Sequence, residues 1–201
     1  MQIRSIYLML SIAVALPTLA VARDAITANT HAPAYTADDK LMLPADYREW
    51  VYLSSGLGMS YSEKASNSAP VFDNTFVNPE SYREFLRTGT WPDKTQIVLE
   101  LRGSTSKGSI NQHGHYQKGD VQGVEVHVKD TARFKGGWAF FGFDGGAVAE
   151  KIPTTASCYS CHAAHGAVDT TFVQFYPTLL PIARQHATLS AAFLKEEGII
   201  K

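Results

Sequence analysis

Cys158-Tyr159-Ser160-Cys161-His162 is the stretch on which this chain turns, because it holds the only two cysteines in 201 residues. Each thiol in this spacing can add across one vinyl group of a porphyrin to give a thioether. The two-residue gap keeps both sulfurs on one side of a helical turn, and the adjacent histidine reaches the iron. A chain built this way must fold so as to enclose a haem. The CxxC half alone also fits a thioredoxin-like redox pair or half of a zinc site. The first expects a strand before the motif in a βαβ unit, the second two further ligands at similar spacing. Neither complement is evident in the sequence. The histidine therefore favours one haem c, covalent through Cys158 and Cys161, with His162 as the metal ligand.

Working outward, the N-terminus supplies the compartment. Arg4 gives a positive start, Ile6 to Leu19 an apolar run, and Ala20-Val21-Ala22 fits a signal-peptidase site. Ser11 and Pro17 interrupt the run, which is short for a membrane span of about 20 residues. Residues 1–22 are thus expected to be a signal peptide, and residues 23–201 a single exported, periplasmic haem domain. Without Arg4, the 18 basic residues fall to 17 against 19 acidic ones, a net charge of −2. A nearly neutral chain without basic runs argues against nucleic acid and against steering towards anionic membranes.

Residues 23–42 read as a loosely held leader. Ala45–Trp50 suits a helical turn, Val51–Ser54 a short strand and residues 55–70 a loop. Val71–Val77 alternates, with Phe72, Asn74 and Phe76 on one face. Asn78 is the predicted N-cap of a helix that begins at Pro79 and ends at Gly89. Thr95–Arg102 and Val121–Val128 are predicted strands joined by a long glycine-rich connection. Asp130–Phe134 is a turn, and Gly137–Phe143 an aromatic-rich strand. Short helices interrupted by Pro177 and Pro181 close the chain. Successive strands with few helices between them predict an α+β domain, mainly antiparallel sheet with flanking short helices, around one covalently attached haem. A four-helix haem bundle would need four long amphipathic segments, and the sequence does not supply them.

Several stretches in this order resemble the family of cytochrome P-460 and cytochrome c′-beta. They are Asp46-Tyr47-Arg48-Glu49-Trp50, Asn78-Pro79-Glu80-Ser81-Tyr82, Val124-Glu125 with Val128-Lys129-Asp130, Gly137-Trp138-Ala139-Phe140, the CxxCH, and Phe172 through Phe175-Tyr176-Pro177. The resemblance spans about Leu43 to about Gln185. It implies a high-spin, five-coordinate haem, a periplasmic location and a homodimer built on the sheet. In cytochrome P-460 a lysine on the strand after the Pro79 helix bonds to the macrocycle, and the modified haem oxidises hydroxylamine. That position aligns with Leu99 here, and a distal arginine of the family aligns with Asn74. Lys94 lies five residues before Leu99, on the other face by strand parity and in a turn, so it reads as a solvated lysine. These departures bring the chain closer to cytochrome c′-beta.

The candidate haem pocket is therefore Cys158, Cys161 and His162 with Phe72, Asn74 and Leu99, backed by Phe76 and Ile97, and it is expected to be apolar. Such a wall offers little to a polarised dioxygen or peroxide, whereas nitric oxide needs no such help. His127 reads as a sheet histidine, and Met59, His113 and His115 as loop residues. Glu125 and Asp130 are candidates for supporting or dimer roles. Three functions follow in order: a nitric-oxide-binding cytochrome, a hydroxylamine-oxidising haem oxidoreductase, and an electron-transfer cytochrome.

Overall fold

A computed structural model describes residues 30–60 and 69–200. The expected signal peptide and the first residues of the leader lie outside them. The main sheet has five antiparallel strands in sequential order, β2 (Val51–Leu57), β3 (Val71–Val77), β4 (Gln96–Thr105), β5 (Tyr116–Lys129) and β6 (Trp138–Phe143). Two short strands, β1 (Leu41–Met42) and β7 (Val148–Ala149), pair beside it. Helix α1 (Pro79–Thr88) follows β3, while α2 (Ser157–His165), α3 (Leu180–Gln185) and α4 (Ala191–Glu196) follow the sheet. The predicted α+β class is what the chain adopts.

Both faces of the sheet are covered, and neighbouring residues of one strand belong to different cores. On one side Ile97 packs with Phe85, Trp91, Val173, Leu179 and Phe193. On the other Val98 packs with Leu41, Tyr47, Trp50, Val126 and Phe141. Complete burial of side chains such as Phe85 contributes about 2–3 kcal/mol each. Truncation of Phe85 to alanine, which leaves a cavity, costs about 3–5 kcal/mol.

Four local expectations are corrected. Strand β2 runs to Leu57, three residues further than predicted, because β3 pairs with it along that length. The connection between β4 and β5 is shorter than expected, since the ladder continues to Ser104–Gln117 and Thr105–Tyr116. Residues 30–42 are not loosely held. His31 lies between Asp46 (3.3 Å) and Glu80 (3.0 Å), its carbonyl accepts from Gln96 Nε2 (2.8 Å), and Leu41 is fully buried. Asn78 flanks α1 as predicted, but its side chain serves the sheet, where Oδ1 accepts from the Gln96 N–H at 2.8 Å. Gly89 ends α1 in the left-handed region at φ 72°, its N–H donating to Phe85 O.

Candidate functional site

Register determines what lines the concave side of the sheet. Residues paired across antiparallel strands project from the same face. Val51, Val77, Ile97, His127 and Phe140 therefore form one row. Ser54, Thr75, Leu99, Glu125 and Gly142 form the next, and Gly56, Asp73, Leu101 and Gly123 the third. Helix α2 and the segment from Thr171 to Tyr176 cover these rows. Between them lies a cavity of about 670 Å3 bordered by Cys158, Cys161, His162, Leu99, Asp73 and Glu125, among others.

Helix α2 places the attachment motif on the cavity wall. Ser157–His165 is helical, and Cys158, Cys161 and His162 all border the same space. The His162 ring is wedged against Phe172 (centroids 4.1 Å apart), Phe140 (4.6 Å) and His127 (5.1 Å). Its Nδ1 lies 2.7 Å from the carbonyl oxygen of Thr170, which assigns the proton to that nitrogen and leaves Nε2 as the lone-pair donor. Burial lowers the His162 pKa below the ordinary histidine value, with the Thr170 hydrogen bond acting against it. The neutral imidazole is the form that ligates a metal.

That carbonyl is held by a tight turn. Asp169 and Thr170 both adopt positive φ, 49° and 60°, a conformation costly for a β-branched threonine. Val168 bridges Thr171, Trp91 Nε1 donates to Thr171 Oγ1 at 2.8 Å, and Lys129 Nζ reaches Asp169 Oδ2 at 2.9 Å. Gly166 makes the approach possible, because a Cβ there would sit 2.8 Å from Thr170 Cα.

The predicted far wall is half right. Leu99 and Ile97 face the cavity. Phe72 and Asn74 do not, and this corrects the expectation. In β3, Phe72 pairs with Arg102 and Asn74 with Glu100, which puts both on the opposite face together with Phe76. Asn74 is bound there to Ser55 (2.9 Å) and Gln117 (2.9 Å), and Phe76 packs edge-on against Tyr47 and Tyr52. The pocket takes the alternate residues Val71, Asp73 and Thr75. Both faces of β3 are partly or fully buried, so hydrophobic alternation does not tell which one meets the cavity.

The wall is accordingly not purely apolar. Burial raises the Asp73 carboxyl pKa, the Asp73 and Gly56 N–H groups pulling it the other way, and Oδ1 is buried without a hydrogen-bond partner. Burial alone raises the Glu125 pKa. Glu125 is exposed to the open cavity, where it stands among apolar neighbours. Met59 also reaches this wall. A Cβ on Gly56 would lie 2.4 Å from both Met59 Sδ and Asp73 Oδ1, so the glycine makes room for the two side chains. Sequence reasoning gave no role to Asp73 or the Thr170 carbonyl, and it read Met59 as a loop residue. Phe172, Phe175 and Tyr176 were legible as motif residues without a role, and all three border the cavity.

Other candidates lie elsewhere. Lys94 is in a turn at φ 66°, and its Nζ meets Asp130 Oδ1 at 2.5 Å and Asp93 at 3.7 Å. Asp130 is buried and also accepts from Tyr35 at 3.3 Å, so it ties the leader to the turn after β5. His113 and His115 lie on the exposed end of the β4–β5 ribbon. No group of three or more His, Cys, Asp or Glu that could hold a metal ion occurs among the described residues.

The donor set fits a covalently bound haem: two thiols and one imidazole nitrogen on one wall of a cavity of suitable size. A comparison with curated protein sequences found no match. The family model described as cytochrome P460 matches residues 44–173, which include β2 to β6, the turn that holds His162 and the whole CxxCH motif; the chain belongs to the cytochrome P460 family of haem-binding cytochromes.

Proposed function

We propose that this chain is an exported, periplasmic mono-haem c-type cytochrome that binds nitric oxide at an iron whose second axial position is open. The observation that carries the reading is the convergence of Cys158, Cys161 and His162 on one cavity, with His162 Nδ1 already engaged by Thr170 O. In this reading Cys158 and Cys161 would hold the haem, each thiol adding its S–H across one vinyl double bond, and His162 Nε2 would ligate the iron. The haem, when bound, supplies reversible binding of small diatomic molecules at its iron. The residues of the chain attach it, orient it and shape the space opposite His162.

Among the described residues, no lysine or arginine borders the cavity. Leu99 occupies the position aligned with the cross-linking lysine, and Lys94 is held by Asp130. This supports an unmodified macrocycle and a gas-binding role. The hydroxylamine-oxidising reading keeps one observation in its favour, the Glu125 carboxyl paired across the sheet with Leu99, where it could accept protons from a substrate. A homodimer built on the sheet belongs to the proposal as well.

The test is the intact mass and absorption spectrum of the purified protein, with and without nitric oxide. The expected result is the mass of one haem added to the chain, high-spin iron, and a nitric oxide complex. An additional covalent link between a lysine and the macrocycle would select hydroxylamine oxidation. Low-spin, six-coordinate iron in both oxidation states would select electron transfer, with Met59 as the first ligand to examine.

A further inference from the structure

Among the described residues, the acidic groups of the cavity wall have no counter-charge. Asp73 and Glu125 lie on the concave face of β3 and β5, with Leu99 and Leu101 of β4 between them. The cations nearest in sequence and register are engaged elsewhere. Arg102 and Arg48 bind Glu100 on the opposite face, Lys129 binds Asp169 and the Trp91 carbonyl, and Lys94 binds Asp130. On the same wall His127, only 8% exposed, presents an Nε2 without a hydrogen-bond partner. A buried polar atom left unmatched on a cavity wall marks where a bound group belongs. The wall therefore offers two carboxyl groups to whatever enters, and no fixed positive charge among the described residues.

We propose that Asp73 and Glu125 make this cavity selective by charge, admitting uncharged diatomic ligands such as nitric oxide and disfavouring small inorganic anions. The inference rests on the proposed function, since it concerns ligands of the same haem. Inside a protein, carboxylates sharing a small cavity with an anion repel it strongly enough to change its affinity by about tenfold per charge. Ferric iron by itself attracts anions, so the carboxylates determine whether that attraction is realised. Nitric oxide carries no charge and is indifferent to them.

The experiment uses the haem-loaded full chain and its Asp73→Asn and Glu125→Gln variants, singly and combined. Azide and fluoride are titrated into the ferric protein, and nitric oxide into the ferrous protein, by absorption spectroscopy. The expected result is that the ratio of azide affinity to nitric oxide affinity rises about tenfold in each single variant and further in the double variant, with fluoride following azide. An unchanged ratio in both single variants overturns the proposal, as does a gain for nitric oxide equal to that for azide, which would mean a wider entrance. A protein that refuses nitric oxide yet gains azide affinity on substitution keeps the charge selectivity and loses the proposed ligand. One that binds nitric oxide and shows no change in the ratio loses the charge selectivity alone.

Discussion

Glu100 and Glu125 sit on adjacent strands of one sheet, Glu100 opposite Val124 and Glu125 opposite Leu99, yet their surroundings could hardly differ more. Glu100, on the convex face, is 3% exposed and fully matched. It accepts from Tyr47 Oη (2.5 Å), Arg48 Nε (2.8 Å) and the Arg102 guanidinium. Burial alone would raise its pKa, but the hydrogen bonds from Arg102, Tyr47 and Arg48 overcome that and hold it below the ordinary carboxylate value. Tyr47, pushed up to about 12 by burial and the Glu100 contact, remains a donor throughout the physiological range. Asp73 and Glu125, on the cavity face, meet no such cations among the described residues, and burial raises both. One face uses its acid to fasten the N-terminal segment to the sheet. The other leaves its acids unmatched around a cavity, the pattern expected where a site, rather than a core, has been built.

The contrast breaks most visibly at the attachment wall. His162→Ala is expected to abolish native ligation of the haem while α2 remains folded, because the ring's contacts are with Phe172, Phe140 and His127 rather than within the helix. Absorption and magnetic circular dichroism spectra check this, and unchanged spectra would remove His162 from the iron. Next in size is Leu99→Lys, which places an amine on the cavity wall. Intact mass and the denatured-haem spectrum should show a new bond to the macrocycle, or the native absorption spectrum a sixth ligand; neither change would mean that residue 99 does not face the haem.

On the convex face, Glu100→Gln is expected to destabilise the protein by about 2 kcal/mol, because three charge-assisted hydrogen bonds lose their acceptor charge. Asp73→Asn should be neutral or stabilising by up to about 1 kcal/mol, since it removes a buried charge without breaking an ion pair. Chemical denaturation of the haem-loaded protein compares the two. An equal cost for both substitutions would erase the difference between the faces.

The same pair gives opposite pH dependences. Glu100, whose folded pKa is depressed, contributes stability that is present above its unfolded pKa and is lost as pH falls through the folded one. Asp73 and Glu125, whose folded values are raised, contribute stability below the unfolded pKa that is lost as pH rises through the folded values. Glu100→Gln should therefore flatten the acid limb of the stability profile, while Asp73→Asn should flatten its weakly acidic shoulder. A last handle, read at the iron ligand, is Trp91. Trp91→Phe removes the hydrogen bond to Thr171, costs about 1 kcal/mol, and should shift the iron–histidine stretching frequency by loosening the Thr170 carbonyl.

Much of this was legible before folding. The CxxCH motif, the predicted strands in β3 to β6, the helix from Pro79 and the antiparallel arrangement follow from residue chemistry and period-two alternation. Leu99 could be placed because the Asn78-Pro79 motif anchors the strand that follows it, and Ile97 shares its face by alternation. The face of β3 could not be read, for both of its faces are apolar enough to be buried; the choice between Phe72 with Asn74 and Asp73 with Thr75 depends on pairing with β4. The packing of residues 30–42 was hidden for a related reason. Their polar composition looks like a solvated leader until Glu80, Gln96 and Asp130 from distant parts of the chain supply the partners.

By itself the sequence marked Cys158, Cys161 and His162 as the candidate attachment residues, because thiol–vinyl addition and imidazole ligation need only residue types at a short spacing. It also determined the strand content, because alternation is local. Only the tertiary structure decided which side chains meet across the cavity, and hence that β3 turns Asp73 and Thr75 towards it instead of Phe72 and Asn74, with Glu125 of β5 on the same face. Cross-strand register is fixed by contacts between residues far apart in the chain, and shifting it by one position exchanges the two faces.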